Sequence, residues 1–316
     1  MSPTAEKNSA RERWRRRRAI MEADGRRHTR HGVVPSASPS RLLARNAARF
    51  LAFLGLRRRA LENTMAVEIN QVDLAVSGLP PAFEGYRILH LTDIHVDQVP
   101  GLMERAAERL RGASADLVVL TGDIQTFGGP SAVRAADVVN SLVSSIKARD
   151  GAVGVLGNHD GHGLVDALEE RGIRMLINES VEMERSGAVL HIAGLDDVHS
   201  FYSVEAENAL AARNADACSI ALVHTPEIAD LAAAAGYSLY LSGHTHGGQI
   251  CLPGGRPLIT MLDRHRRLAA GTWRWGSMTG YTSRGVGAIT PARFNCPPEI
   301  ALLRLRRENP APQQRP

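Results

Sequence analysis

Residues 87–95 read Arg-Ile-Leu-His-Leu-Thr-Asp-Ile-His, a short apolar run closed by Asp93 and His95. The run reads as a buried strand with two polar side chains just past its C-terminal end. The same arrangement recurs down the chain. Leu117–Leu120 leads to Asp123 in Thr-Gly-Asp, and Ala152–Leu156 leads to Asn158 and His159 in Gly-Asn-His-Asp. Ile220–Val223 leads to His224 in Val-His-Thr, and Leu239–Leu241 leads to His244 and His246 in Gly-His-Thr-His-Gly-Gly. Further strand patterns lie at 67–76, Val189–Ala193, Gly280–Val286 and Ile300–Leu305. Helical patterns at Leu102–Leu110, Ala132–Lys147, Leu164–Glu170 and Pro226–Ala235 fall between the strands. Strands alternating with helices predict βαβ units around a central sheet. Open α/β sheets collect their sites beyond the C-terminal ends of the strands, so residues far apart in sequence would meet on one rim.

The side chains at that rim suit a divalent cation. Asp, Asn and His each offer a lone pair, and without thiolate ligands the set fits Mn, Fe or Zn. Gly122, Gly157, Gly243, Gly247 and Gly248 permit tight turns and close backbone approach beside them. A lone Asp at a strand end is commonly a cap, and a lone His is commonly structural. Five such blocks in series are not accounted for in that way. The remaining histidines, His28, His31, His90, His162, His191, His199 and His265, read as structural. His162, four residues after Asn158, stands apart from them as a candidate substrate contact.

A length of 316 residues suits one large domain with extensions, and 44% hydrophobic content is enough for a sizeable core. With aromatics at 4%, that core rests on Ala, Val, Leu and Ile. The net charge of +5 is unevenly distributed. Residues 1–65 hold 16 of the 38 basic and 5 of the 33 acidic residues, which leaves the rest of the chain acidic. An acidic body argues against nucleic acid as a partner. Cys218, Cys251 and Cys296 are odd in number and widely spaced, so no disulfide framework is expected and a reducing compartment fits best.

The sequence divides into a basic extension over 1–65, a folded domain over 66–308 and a tail over 309–316 expected to be disordered. Residues 1–40, with Arg15 to Arg18, lack apolar periodicity and read as disordered. Residues 41–62, basic around Phe50, Leu51, Phe53, Leu54 and Leu56, are too short in apolar run to span a bilayer but suit an amphipathic helix on an anionic membrane. A solvated basic tail, or a start at Met65, is the alternative. The late, short and arginine-flanked apolar run argues against a secretory signal, while a twin-arginine export signal stays compatible. The expected location is cytoplasmic and peripheral to the inner face of the plasma membrane, with residues 1–62 making the contact.

The ordered blocks Asp93/His95, Gly122-Asp123, Gly157-Asn158-His159-Asp160, His224 and Gly243-His244-Thr245-His246 resemble the calcineurin-like metallophosphoesterases over about residues 85–305. The resemblance implies an α/β fold of four layers, α/β/β/α, with a dinuclear site at the C-terminal ends of the strands. It implies that Asp93, His95 and His246 hold one divalent metal ion, that Asn158, His224 and His244 hold a second, and that Asp123 bridges the two. Such a pair binds a phosphate ester and acidifies a shared water that attacks phosphorus in line with the leaving oxygen. It further implies that His159 serves the leaving group and that Asp160 orients the His159 ring.

Later segments narrow the resemblance. Gly247-Gly248-Gln249-Ile250, Ser283-Arg284-Gly285-Val286-Gly287 and Pro291-Ala292-Arg293-Phe294 are similar to a bacterial, membrane-associated branch of that superfamily. Some members of the branch act on lipid-linked nucleotide diphosphates such as UDP-diacylglucosamine. Arg284 and Arg293 are therefore candidate phosphate contacts, with a salt bridge or loop-pinning role as the alternative. Trp273 and Trp275 would line a groove or pack beneath a loop. Gly161-His162-Gly163 stands where family members often carry aromatic residues, which bears on substrate choice and not on metal binding. The expected activity is metal-dependent hydrolysis of a phosphodiester or pyrophosphate bond, with a phosphate-ester substrate as partner and a lipid-linked or nucleotide substrate at the membrane surface. The alternatives are a nuclease, a cyclic-nucleotide phosphodiesterase, or a non-catalytic metal-binding scaffold.

Overall fold

The computed structural model describes residues 3–35, 46, 54–126 and 131–308. A helix, α1 (Pro3–Asp24), comes first, followed by a hairpin of β1 (Arg27–Thr29) and β2 (Gly32–Val34) and by helix α2 (Arg57–Met65). The next strands are β3 (Glu68–Val76), β4 (Arg87–Leu91), β5 (Ser114–Ala115), β6 (Leu117–Thr121), β7 (Lys147–Ala148), β8 (Ala152–Val155) and β9 (Ile173–Met175). Then come β10 (Glu179–Arg185), β11 (Ala188–Gly194), β12 (Cys218–Leu222), β13 (Leu239–Ser242), β14 (Gly271–Trp275), β15 (Met278–Thr282) and β16 (Glu299–Arg307).

Two six-stranded sheets form the centre, in the orders β3-β16-β4-β6-β8-β9 and β10-β11-β12-β13-β15-β14. The neighbours β4, β6, β8 and β9 run parallel, as do β11, β12, β13 and β15. Alternate side chains serve two interiors. Ile88, Leu117, Val119 and Val153 face the second sheet and pack with Ile192, Ile220, Leu222 and Leu241. Leu89, Leu91, Val118 and Leu120 pack instead with helices Leu102–Leu110, Ala132–Val143 and Leu164–Glu169. Helices Val204–Ala211 and Ala229–Ala234 cover the far side of the second sheet. With both faces covered, the central strands are continuously apolar. The architecture is the four-layer α/β/β/α sandwich expected from the sequence.

Parallel strands bring their C-terminal loops to one rim, and hydrogen bonds knit those loops together. The amides of Asp93 and His95 donate to the carbonyls of Gly122 and Asp123, at 2.9 and 3.1 Å, and the Gly243 amide donates to His224 O at 2.8 Å. Across the sandwich, the His224 ring lies 2.7 Å from Thr121 O.

Residues 3–35, within the stretch expected to be disordered, are instead ordered: α1 and the β1–β2 hairpin are formed and dock on the body. The cause is pairing of charges across long sequence distances. Arg11 bonds Glu169 and Glu179, Arg15 bonds Asp166, and Arg17 bonds Glu205. Trp14 is 5% exposed and its indole N–H donates to Asp196 at 2.7 Å. A run that looks like self-repelling charge is neutralised by acids of the folded domain. Of the amphipathic segment at 41–62, only residue 46 and residues 54–62 are described, and the tail at 309–316 lies outside the described residues. No described helix is long and apolar enough to cross a membrane. The strand pattern at Gly280–Val286 is shifted, with β15 running from Met278 to Thr282. Past Thr282 the chain turns into the rim.

Candidate active site

The predicted ligands meet at the rim in two groups. Asp93, His95 and His246 form one, and Asp123, His224 and His244 form the other, each with one ligand atom per residue lying within 4.8 Å of the rest. Asn158 joins the second group, its Oδ1 lying 2.8 Å from His244 Nδ1 and 3.1 Å from His224 Nε2. Asp123 stands between the groups, with Oδ2 at 3.2 Å from His224 Nε2 and 3.8 Å from His95 Nε2. All seven side chains are buried.

The hydrogen bonds on the far side of the rings fix which nitrogen faces inward. His224 Nδ1–H donates to Thr121 O, and His95 Nδ1 lies 2.9 Å from Thr126 Oγ1, so both Nε2 atoms point into the site. There they meet other ring nitrogens. His95 Nε2 and His246 Nε2 are 3.3 Å apart, as are His224 Nε2 and His244 Nδ1. Two lone pairs at that distance repel unless a cation or a proton lies between them. The donor set therefore fits two divalent cations, one in each group.

The backbone is strained at the same residues. Asp93, His95, Asp123, His244 and His246 all take positive φ, between 43° and 71°. Such conformations cost a side-chain-bearing residue roughly 1–3 kcal/mol each and cluster at functional sites. Close backbone approach adds to the demand. A Cβ on Gly157 would lie 2.2 Å from Asp123 Oδ1, and one on Gly243 would lie 2.3 Å from Asp93 Oδ2.

The electrostatics of the metal-free chain follow from burial and crowding. Burial lowers the basicity of His224, but the adjacent Asp123 carboxylate reverses this and raises its pKa to about 10. Burial pushes Asp123 up, and the surrounding histidines, His224 foremost, overcome it and hold Asp123 well below the usual carboxylate range. Burial, opposed by His224 and reinforced by Asp123, lifts Asp93 to about 7. Burial depresses His95 to about 4 and takes His244 and His246 well below the usual range. Without metal, Asp123 and His224 thus form an ion pair, and a cation must displace the proton of His224 to use its Nε2.

A cavity of about 320 Å³ opens onto this cluster. Asp123, Asn158, His159, His244 and His246 form its polar floor, and Ile250, Leu258, Ile259, Met261, Ile289 and Ala292 form an apolar wall. His159 lies at the floor, its ring 5.4 Å from that of His95 and its amide donating to Asp123 Oδ1 at 2.9 Å.

Asp160 and His162 take partners other than those expected, while Arg284 and Arg293 match the salt-bridge and loop-pinning alternatives. Asp160 does not orient His159: Oδ1 accepts from the amides of Ile124 and Gln125, and Oδ2 from that of Gly157, so it ties two ligand loops together. Arg293 is fully buried and donates to the carbonyls of His246, Cys296, Arg284 and Gly287, at 3.3, 3.2, 2.8 and 2.6 Å, which makes it a pin for the surrounding loops and not a phosphate contact. Arg284 donates to Glu299 at 2.7 Å, also outside the cavity lining. His162 is held by Glu22, through its amide at 2.9 Å and Nδ1 at 2.7 Å, and does not line the cavity. Trp273 packs against Tyr240, with ring centroids 5.7 Å apart, and lines no groove there.

His199, read as structural, does line the cavity. Its ring centroid is 4.2 Å from that of His244, and its Nδ1 is 2.9 Å from Glu227 Oε2. It sits in a loop after β11 with no motif around it, so no local signal marks it in the sequence.

Comparison with known proteins agrees with this geometry. A family model described as calcineurin-like phosphoesterase matches residues 86–248. The chain is 30% identical over 260 residues to the uncharacterized metallophosphoesterase YkuE of Bacillus subtilis, covering 79% of this chain and 89% of the relative. It is 29% identical over 231 residues to the phosphodiesterase YaeI of Escherichia coli, covering 70% of this chain and 82% of the relative. The ordered ligand blocks, the four-layer sandwich and these matches agree, and the chain belongs to the calcineurin-like phosphoesterase family, as a metal-dependent phosphoester hydrolase.

Proposed function

We propose that the enzyme hydrolyses a phosphodiester or pyrophosphate bond in a substrate that carries an apolar chain, working at a membrane surface. The observation that carries this reading is the cavity, whose polar floor of ligands adjoins a wall of Ile250, Leu258, Ile259, Met261 and Ile289. Inorganic phosphate would gain nothing from such a wall, whereas each buried CH₂ of an acyl chain contributes roughly 0.8 kcal/mol. The similarity to the Escherichia coli phosphodiesterase YaeI favours a diester over a monoester.

Asp93, His95 and His246 would hold one Mn, Fe or Zn ion, Asn158, His224 and His244 a second, and Asp123 would serve both. When bound, such ions supply positive charge for the phosphoryl oxygens and acidity for a water. The chain's own residues do the rest. The Thr121 carbonyl fixes the tautomer of His224, the Thr126 hydroxyl orients the His95 ring, Asp160 holds the loops of Asp123 and Asn158 together, and His159 protonates the leaving oxygen from the cavity floor. The apolar wall aligns the lipid part of the substrate and keeps bulk water from that side.

The region around the cavity mouth supports the membrane part of the reading. Leu258 and Ile289 are 57% and 39% exposed. Helix α2 presents Arg57, Arg58 and Arg59 to solvent together with Leu61, and Asn63 bonds the carbonyl of Arg293, beside the cavity-lining Ala292. Basic and apolar side chains on one segment suit the anionic inner face of a plasma membrane.

A substrate panel with Mn²⁺ tests the proposal. It compares an aryl phosphomonoester, an aryl phosphodiester, a diacylated nucleoside-diphosphate sugar and the deacylated form of that sugar. Cleavage of the diester above the monoester is expected, with kcat/KM for the acylated compound at least about tenfold above its deacylated form. Equal turnover of the two forms would overturn the lipid reading, and a preference for the monoester would overturn the diester reading.

A further inference from the structure

Helix α1 does more than cover the body. It inserts Arg18, 1% exposed, behind the loop that carries Asn158 and His159. Arg18 Nη2 donates to the carbonyls of Gly157 and Asp160, at 3.2 and 2.9 Å, one on each side of those two residues. The Gly157 carbonyl also accepts the amide of Asp160, at 3.3 Å, so the guanidinium reinforces the turn from outside. Arg18 is itself held firmly. Nη1 bonds Asp196, Nε lies 3.1 Å from Glu22, and its Cζ sits 3.4 Å above the Phe201 ring. One helical turn further on, Glu22 accepts the amide of His162 at 2.9 Å and meets its Nδ1 at 2.7 Å. The loop from Gly157 to His162 is therefore gripped at both ends by side chains from one helix far away in sequence.

From this geometry we infer that Arg18 is a positioning residue of the active site: α1 acts as a strap that fixes the Gly157–His162 loop, and so sets where Asn158 and His159 stand. A guanidinium suits the task because its planar fork reaches two carbonyls and a carboxylate at once. No other partner of these carbonyls on the outer side of the loop is present among the described residues. The inference depends on no particular substrate, so its failure would leave the proposed function standing.

The test uses the full chain. Arg18→Met keeps the aliphatic stem and removes the fork. Amide hydrogen exchange, read by mass spectrometry in metal-free protein, compares residues 157–162 with strand β6, and calorimetry with Mn²⁺ gives metal affinity. Exchange in the loop is expected to rise about tenfold with β6 nearly unchanged, and Mn²⁺ binding at one of two sites to weaken about tenfold. Arg18→Lys should recover part of both losses, and activity should fall in kcat more than in KM. An unaltered loop and unaltered Mn²⁺ affinity would overturn the inference. So would exchange rising equally in β6, which is the signature of general destabilisation. Should Arg18→Met not fold, Glu22→Ala is read in its place: a smaller rise confined to 157–162 supports the strap, and no rise overturns it.

Discussion

The ligand rim and the N-terminal helix both gather charged and polar side chains against apolar strands, yet they are built by opposite means. At the rim, the functional residues follow their strands by two to four positions, and at Asp93, His95, Asp123, His244 and His246 the backbone accepts left-handed φ. In α1, the backbone is an ordinary helix, and Arg11, Arg15, Arg17 and Arg18 each find an acid more than a hundred residues away. The rim concentrates unlike lone pairs that require a cation. The helix distributes its charges into separate pairs that require nothing further. Chemistry belongs to the region whose charges are left unsatisfied by the protein, and support to the region whose charges are satisfied by it.

The sharpest way to break that contrast is to exchange the effects of mutation. Asp123→Ala removes the carboxylate between the two groups and should lower hydrolysis of an aryl phosphodiester by on the order of 10³-fold with the fold intact by circular dichroism. Activity within tenfold of the parent would remove Asp123 from its central position. Gly157→Ala should come next. Its Cβ would stand 2.2 Å from Asp123 Oδ1, and a displacement of that carboxylate by about an ångström is expected to cost roughly 10²-fold in kcat.

Metal loading should depend on pH with a fixed sign. The proton on His224 is held up to about pH 10 by Asp123, and Asp93 holds its own up to about pH 7. Both must leave when a cation binds, so Mn²⁺ affinity should rise with pH through the neutral range, by about tenfold per pH unit for each proton displaced. Calorimetry in buffers of different ionisation enthalpy measures the protons released, and an affinity flat between pH 6 and 8 would contradict the ion-paired apo site. The smallest effect belongs to the outer charges of α1. Arg17 and Glu205 are substantially exposed, so Arg17→Ala should cost under about 1 kcal/mol and shift the melting midpoint by only a few degrees, with kcat unchanged.

The same contrast explains what could be read from the sequence. Asp93, His95, Asp123, Asn158, His224, His244 and His246 are legible because strand periodicity and the motif lie side by side, and parallel strands do the rest. Asp160 and Arg293 stand in the right motifs, but their roles are set by main-chain groups of other loops, Ile124 and Gln125 for the first and Gly287 for the second. Strand β10, Glu179–Arg185, turns only Val181 and Met183 inward as apolar side chains, between charged residues, which is too short an alternation to stand out. Helix α1 shows a run of arginines whose partners, Glu169, Glu179, Asp166 and Asp196, are scattered through the domain. Local patterns reveal what a strand aims. They are silent on which distant carbonyl or carboxylate a side chain will find.

Metal stoichiometry addresses the two-group site most directly. The protein is stripped with chelator, titrated with Mn²⁺, and the bound metal counted by native mass spectrometry, beside Asp123→Ala treated in the same way. Two ions per parent chain are expected, with at least one lost in the variant. A parent chain that binds a single ion, or none, would contradict the dinuclear centre on which the chemistry rests.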